Sequence, residues 1–123
     1  AYRAAIASEG VGPVDKARAL KRRSRLLLLR GNVECALTDL KECVGTLEGV
    51  QERTDQIRRK LGKAHFNMGA IRFRQDTLQE AEASFLAAAR SDPGCWAAKG
   101  YLGLIYARRG LTCRGRALRM LTE

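Results

Sequence analysis

Histidine occurs once in this chain, at His65, and proline only at Pro13 and Pro93. One imidazole offers no histidine pair for a metal and no evident base beside a nucleophile. The four cysteines, Cys35, Cys43, Cys95 and Cys113, lack paired C-x-x-C spacing and form no metal pattern with His65. They read as reduced, small apolar residues, with a disulfide or a zinc site as the alternative, and this places the chain in the cytoplasm or nucleus. Aromatic residues make up 6% of the chain, which leaves few rings for stacking on bases. The apolar run Leu26 to Leu29 falls far short of the roughly 20 residues that a membrane helix needs. Gly100, Gly103 and Gly110 match neither the dinucleotide nor the P-loop spacing, and no strand precedes them. Acidic residues are scarce as well: 13 Asp and Glu stand against 23 Lys and Arg, a net charge of +10. No stretch alternates with period two for long enough to be a strand, so the expected class is all-α.

What the chain does have is an internal repeat. Ala64, Met68, Gly69, Ile71, Arg74 and Ala83 recur 34 positions later as Ala98, Leu102, Gly103, Ile105, Arg108 and Ala117. In a stack of helical hairpins each unit leaves an apolar face that only its neighbours can bury, so recurring positions are packing positions. Residues 62 to 95 resemble one full tetratricopeptide unit. Gly69 and Ala81 take the small positions, Phe85 the large plug, Ala88 the third small position, and Pro93 the break before the next hairpin. An earlier unit is visible in Gly31, Asn32, Ala36, Leu40 and Cys43, which align with Asp76, Thr77, Ala81, Phe85 and Ala88 at an offset of 45 residues. Departures from the family pattern are Arg72, where an aromatic is usual, and Ser24, where Gly or Ala is usual. The resemblance implies a right-handed superhelical stack of antiparallel helix pairs, a TPR-like α-solenoid.

The offset of 45 rather than 34 means an insertion of 11 residues near positions 49 to 60. Eleven residues are almost three helical turns, which lengthens a helix without rotating its apolar face. Val50, Thr54, Ile57, Leu61, Ala64, Met68 and Ile71 continue by fours and threes without a break. One elongated helix from Val50 to Gln75 is therefore expected, projecting roughly 16 Å beyond the ordinary stack at about 1.5 Å per residue; the alternative is a disordered loop. Helices are expected at 14 to 30, 33 to 47, 50 to 75, 78 to 91, 96 to 109 and 111 to 121. The expected organisation is a single domain over 1 to 123: 1 to 13 the end of a preceding helix plus a loop, 14 to 49 repeat 1, 50 to 95 repeat 2 with its first helix extended, and 96 to 123 a truncated repeat 3. The start inside a helical pattern and the incomplete last unit suggest a piece of a longer chain.

Charge says most about the partner. Through Arg30 there are 8 basic and 2 acidic residues, and from Trp96 onward 6 and 1, whereas the middle of the chain is nearly balanced. In the tetratricopeptide family the first helix of each unit lines a concave groove. The matching positions are Arg18, Lys21, Arg25, Leu28 and Leu29 in the first unit, Lys63, Phe66, Ala70, Phe73 and Arg74 in the second, and Ala97, Gly100, Leu104, Ala107 and Arg108 in the third. Arg22 and Asn67 lie beside them. Such a groove is basic at one end and apolar in the middle, which suits an acidic or amphipathic protein segment. Arg58, Arg59 and Lys60 read as an ordinary solvated face.

Three other functions find less support. Some tetratricopeptide domains clamp a C-terminal carboxylate; Lys21 and Asn67 match that pattern, but Arg25 stands at an Asn position, and Ala97 and Tyr101 replace its last cations. Nucleic acid is the rival partner class, because clustered arginines bind phosphate without reading sequence, yet only Phe66 and Phe73 offer rings for stacking. For an enzyme, no nucleophile with a base emerges. The expectation is thus a non-catalytic protein-binding scaffold, needing no cofactor or metal and making no membrane contact. Nothing in the sequence fixes its oligomeric state.

Overall fold

α1 (Pro13–Leu29) opens with proline at the first helical turn, where its missing N–H costs nothing, and carries Asp15 near the positive end of the helix dipole. The structure is a computed structural model that describes residues 12–108. It continues with α2 (Val33–Glu48), α3 (Asp55–Arg74), α4 (Leu78–Ser91) and α5 (Trp96–Arg108). The protein is all-helical over these residues, with no strand among them. The helix and turn expected from Gly110 to 121, the N-terminal helix end and Cys113 lie outside the described residues.

The two turns that reverse the chain are copies of each other. After α1, Gly31 adopts φ 80°; after α3, Asp76 adopts φ 63°. Asn32 N donates to Leu27 O at 2.8 Å and Gly31 N to Leu28 O at 3.0 Å; 45 residues on, Thr77 N donates to Arg72 O at 3.0 Å and Asp76 N to Phe73 O at 3.1 Å. This left-handed stop satisfies the last helix carbonyls in the same way twice. The next helix then begins at once, with Asn32 Oδ1 accepting from Cys35 N.

Short turns of this kind fold the helices into antiparallel pairs. In the first pair, Ala17 near the start of α1 accepts from Cys43 late in α2, while Arg23 and Asp39 meet midway. In the second, Gly62 lies against Ala88 and Asp92, Gly69 against Phe85, and Arg72 against Ser84. The tightest helix contacts are α1 with α2 and α3 with α4; α2 also rests on α3, and α4 on α5.

Positions that recur in the sequence share an environment. Ala36, Leu40 and Cys43 are buried, and so are Ala81, Phe85 and Ala88 at the 45-residue offset. Ala64, Met68, Gly69 and Ile71 are buried, as are Ala98, Leu102, Gly103 and Ile105 at the 34-residue offset. One core cluster joins α1, α2 and α3 through Leu20, Leu40, Leu47 and Leu61. A second, around Phe85, Leu102 and Ile105, joins α4 and α5.

The expected continuous helix from Val50 to Gln75 does not form. Gly49 ends α2, residues 50 to 54 are irregular, and Thr54 caps α3, its hydroxyl accepting from Ile57 N at 3.3 Å. Arg53 donates to the carbonyl of Glu48 and ties the link to the end of α2. The capping pair Thr54-Asp55 is a helix start that the apolar stripe through Val50 overrode in the reading of the sequence. α3 still has 20 residues against 17 in α1. Its extension ahead of Gly62 is two turns, roughly 10 Å at 1.5 Å per residue, instead of the expected 16 Å. Ile57 and Leu61 in that extension are buried in one cluster with Val44 and Leu47, so α2 is their cover.

Candidate functional site

The extension of α3 runs beside the first half of α1, and the two helices face each other with cations. On α1, Arg18, Lys21, Arg22 and Arg25 recur by threes and fours along one side. On α3, Arg59, Lys60 and Lys63 do the same. Between them lies a cavity of about 300 Å³ whose floor is Ala17, Cys43 and Leu47 and whose rim carries Arg18, Lys21, Arg59, Lys60 and Lys63. Another recess of about 290 Å³ along the same side is walled by Arg18, Lys21, Arg22, Arg25 and Lys60.

Further along the same two helices the lining changes character. A second cavity of about 300 Å³ is walled by Lys21, Arg25 and Leu28 of α1, by Phe66, Asn67, Ala70 and Arg74 of α3, and by Tyr101 of α5. Its aromatic end is built from packed rings. Tyr101 stacks on the buried Phe85 with centroids 4.8 Å apart and planes 7° apart, and it receives Phe66 and Phe73 edge-on at 5.8 and 5.1 Å. Lys21 stands in the wall of both cavities.

The electrostatics of the first cavity are one-sided. Among the described residues no carboxylate lies within ion-pair distance of Lys21, Arg22, Arg25, Lys60 or Lys63. The nearby pairs are peripheral: Arg18 with Asp15 at 3.9 Å, both exposed, and the half-buried Lys16 with Glu42 at 3.8 Å. Burial, then the neighbouring Lys63 ammonium, then Arg25 and Lys60, bring the Lys21 ammonium down from 10.5 to about 8. Beneath them, burial pushes the Cys43 thiol up to about 11 against the pull of Lys21 and Lys60, and its Sγ donates to Ala17 O at 3.4 Å. A thiol held protonated in this way is a poor nucleophile. His65 is half-buried, and desolvation lowers its pKa, so it is neutral near pH 7. It lines neither cavity. No group of three or more metal-ligating side chains occurs among the described residues.

The structure therefore brings together Arg18, Lys21, Arg22, Arg25, Lys63, Phe66, Asn67 and Arg74 of the expected groove. Phe73, Leu104 and Arg108 stand outside both cavities. Arg108 lies over the Phe73 ring at 4.6 Å and pairs with Asp76 at 3.7 Å, and Leu104 is 52% exposed. Leu29, at the end of α1, is exposed outside the cavities too, as are Ala97 and Ala107 of α5, the helix that reaches the second cavity through Tyr101. Of the face expected to be solvated, Arg58 and Arg59 are exposed, Arg58 beside Asp55 at 3.5 Å, while Lys60 is half-buried; Arg59 and Lys60 also line the rim of the first cavity. Counting back from Lys63 by three and four positions reaches Lys60 and Arg59, so helical spacing alone held that signal. Arg23 is absent from the groove because Asp39 takes it, through two contacts of 2.7 Å. None of the protein-family models, curated proteins or solved structures compared with the chain matches it. No helix among the described residues is long and apolar enough to cross a membrane.

Proposed function

We propose that the chain is a tetratricopeptide-type helical repeat, a right-handed stack of antiparallel hairpins, which binds an acidic or amphipathic segment of another protein and catalyses no reaction. The observation that carries this reading is the paired cavity along α1 and α3: cationic at one end, apolar and aromatic at the other, with Lys21 common to both. Exposed cations steer and orient an approaching acidic chain, while Leu28, Phe66 and Tyr101 offer surface to an apolar anchor, which supplies most of the affinity in such interfaces. The recurrence of the same turn after α1 and after α3 supports the repeat. RNA is the weaker reading, since the rings at the cavity, Phe66 and Tyr101, are packed against each other edge-on and Tyr101 has one face stacked on Phe85, which leaves few faces for bases. We place the scaffold in the cytoplasm or nucleus, on the ground of its cysteine usage.

The test is a titration of the full chain with a labelled acidic peptide containing leucine, at low and at high salt. Lys21→Glu with Arg25→Glu should weaken binding at least tenfold at low salt with helicity unchanged, because both side chains stand in cavity walls and not in the core. Unchanged affinity would remove the groove from the account. Tighter binding to an RNA of equal charge would favour the weaker reading.

A further inference from the structure

Three lysines converge on the first cavity from two helices. Lys21 reaches it from α1, Lys60 from the extension of α3 and Lys63 from just beyond it, and Arg18, Gln56 and Arg59 complete the rim. The three ammonium groups repel one another, and among the described residues no carboxylate pairs with them; the carboxylate nearby, Asp15, lies 3.9 Å from Arg18 at the periphery. A single carboxylate carries one charge and two acceptor oxygens. A phosphate monoester carries close to two charges at neutral pH and three strong acceptors, enough to contact all three ammonium groups at once.

The floor indicates how such a group would enter. Ala17, Cys43 and Leu47 offer no free donor at the bottom, the Cys43 S–H being spent on Ala17 O. An anion is thus held at the rim, with the apolar carrier to which it is attached against the floor or leading out of the cavity. Out of the cavity, past Lys21, lies the second one with Leu28, Ala70 and Tyr101. Along α1 the two centres are about six residues apart, roughly 9 Å, which is the reach of about three residues of extended chain.

We propose that the cleft between α1 and the extension of α3 is a seat for a phosphorylated side chain of a protein partner, read together with an apolar residue about three positions away that enters the neighbouring cavity. This rests on the protein-binding reading above and narrows it to a phosphorylated ligand. The 11-residue insertion then has a function, since Arg59 and Lys60 lie within it and exist only because α3 begins early. Lys21 is the hinge of the recognition, touching both parts of the ligand. An anion seated there favours its charged form, so binding near pH 8 takes up protons.

The chemistry can be tested first with small probes. Amide shifts of the full chain are followed by NMR during titration with phenyl phosphate and, separately, with benzoate at pH 7.5, where the former is a dianion. We expect saturable shifts at Ala17, Lys21, Lys60 and Lys63 with phenyl phosphate, at least tenfold weaker binding of benzoate, and loss of the difference in Lys60→Ser with Lys63→Ser. Equal response to the two probes, or shifts spread over the whole basic surface, overturns the seat and leaves the acidic-peptide groove standing, because the Lys21 and Arg25 charge reversal tests that separately. The source is tested with labelled peptides carrying phosphoserine and a leucine three residues before or after it, against an oligouridine of equal charge. Tighter binding of at least one phosphopeptide than of the oligouridine, weakened about fivefold or more when its leucine becomes alanine, supports the proposal. Tighter binding of the oligouridine, or indifference to the leucine, overturns the assignment to a protein ligand.

Discussion

The ring of Phe85 lies directly on the backbone of Gly69: a Cβ at position 69 would stand 2.8 Å from Cδ1 and Cε1 of that ring. Phe85 is fully buried and in turn supports Tyr101 in the cavity wall, so this one close approach joins the core of the second hairpin to the site. Gly69→Leu should cost about 1 to 3 kcal/mol through overpacking. Phe85→Ala should cost about 3 to 5 kcal/mol and also loosen Tyr101. Urea unfolding gives both numbers. A Gly69→Leu variant that melts like the parent would show that α3 and α4 are not this close.

Asp39 and Ser84 are equivalent polar positions buried at the 45-residue offset, and an arginine answers each. Arg23 holds Asp39 with two contacts of 2.7 Å, and Arg72 donates to Ser84 Oγ at 2.8 Å. Removing one partner of the ion pair strands the other. Arg23→Met leaves a buried carboxylate and should cost about 2 to 4 kcal/mol, somewhat below the fully buried case because Arg23 is partly solvated. Arg23→Met combined with Asp39→Leu should recover most of that loss. A double variant as unstable as the sum of the two single ones would mean that the pair contributes no coupling.

Lys21 makes stability depend on alkaline pH. Its value is about 8 in the fold against the ordinary 10.5, so between these limits the unfolded chain binds the extra proton and stability rises with pH. Below pH 8 both states are protonated and the fold bears first the burial of the ammonium and then the repulsion from Lys63, Arg25 and Lys60. Other groups titrate in the same window, so the readout is the difference between the parent and Lys21→Gln. That variant should be the more stable of the two at pH 7, and the gap should close as pH rises from 8 to 10.5. A gap independent of pH would remove Lys21 from the linkage.

Much of this was legible from spacing. The hairpin turns at Gly31-Asn32 and Asp76-Thr77, the α4 range and the burial of Ile71 with Ile105 follow from local turn chemistry and helical period. The family resemblance singled out Lys21, which the fold places in the walls of both cavities. What the sequence concealed were contacts between helices. Nothing local distinguishes Arg23, spent on Asp39, from Arg22, which remains in the cleft. Arg59 and Lys60 were missed for a different cause: helical spacing from Lys63 reaches them, but the resemblance, which treats that stretch as an insertion, provides no position for them.

The start of α3 decides whether that inserted segment builds a cavity wall at all. The Thr54 hydroxyl accepts from Ile57 N at 3.3 Å, and Asp55 stands in the first turn. Thr54→Ala should cost about 1 kcal/mol. Because Ile57 and Leu61 are pinned by Val44 and Leu47, the loss should appear as fraying of the first turn and not as unfolding of the extension. Amide exchange in the parent should show residues 51 to 53 unprotected and residues 59 to 64 protected; in Thr54→Ala, protection should fall at 57 and 58 and persist from Leu61 onward. Continuous protection from 50 to 64 in the parent would restore the single long helix that the apolar stripe suggests. Full exchange through Leu61 would instead detach Arg59 and Lys60 from any fixed place opposite Lys21, and the phosphate seat would lose one of its two walls.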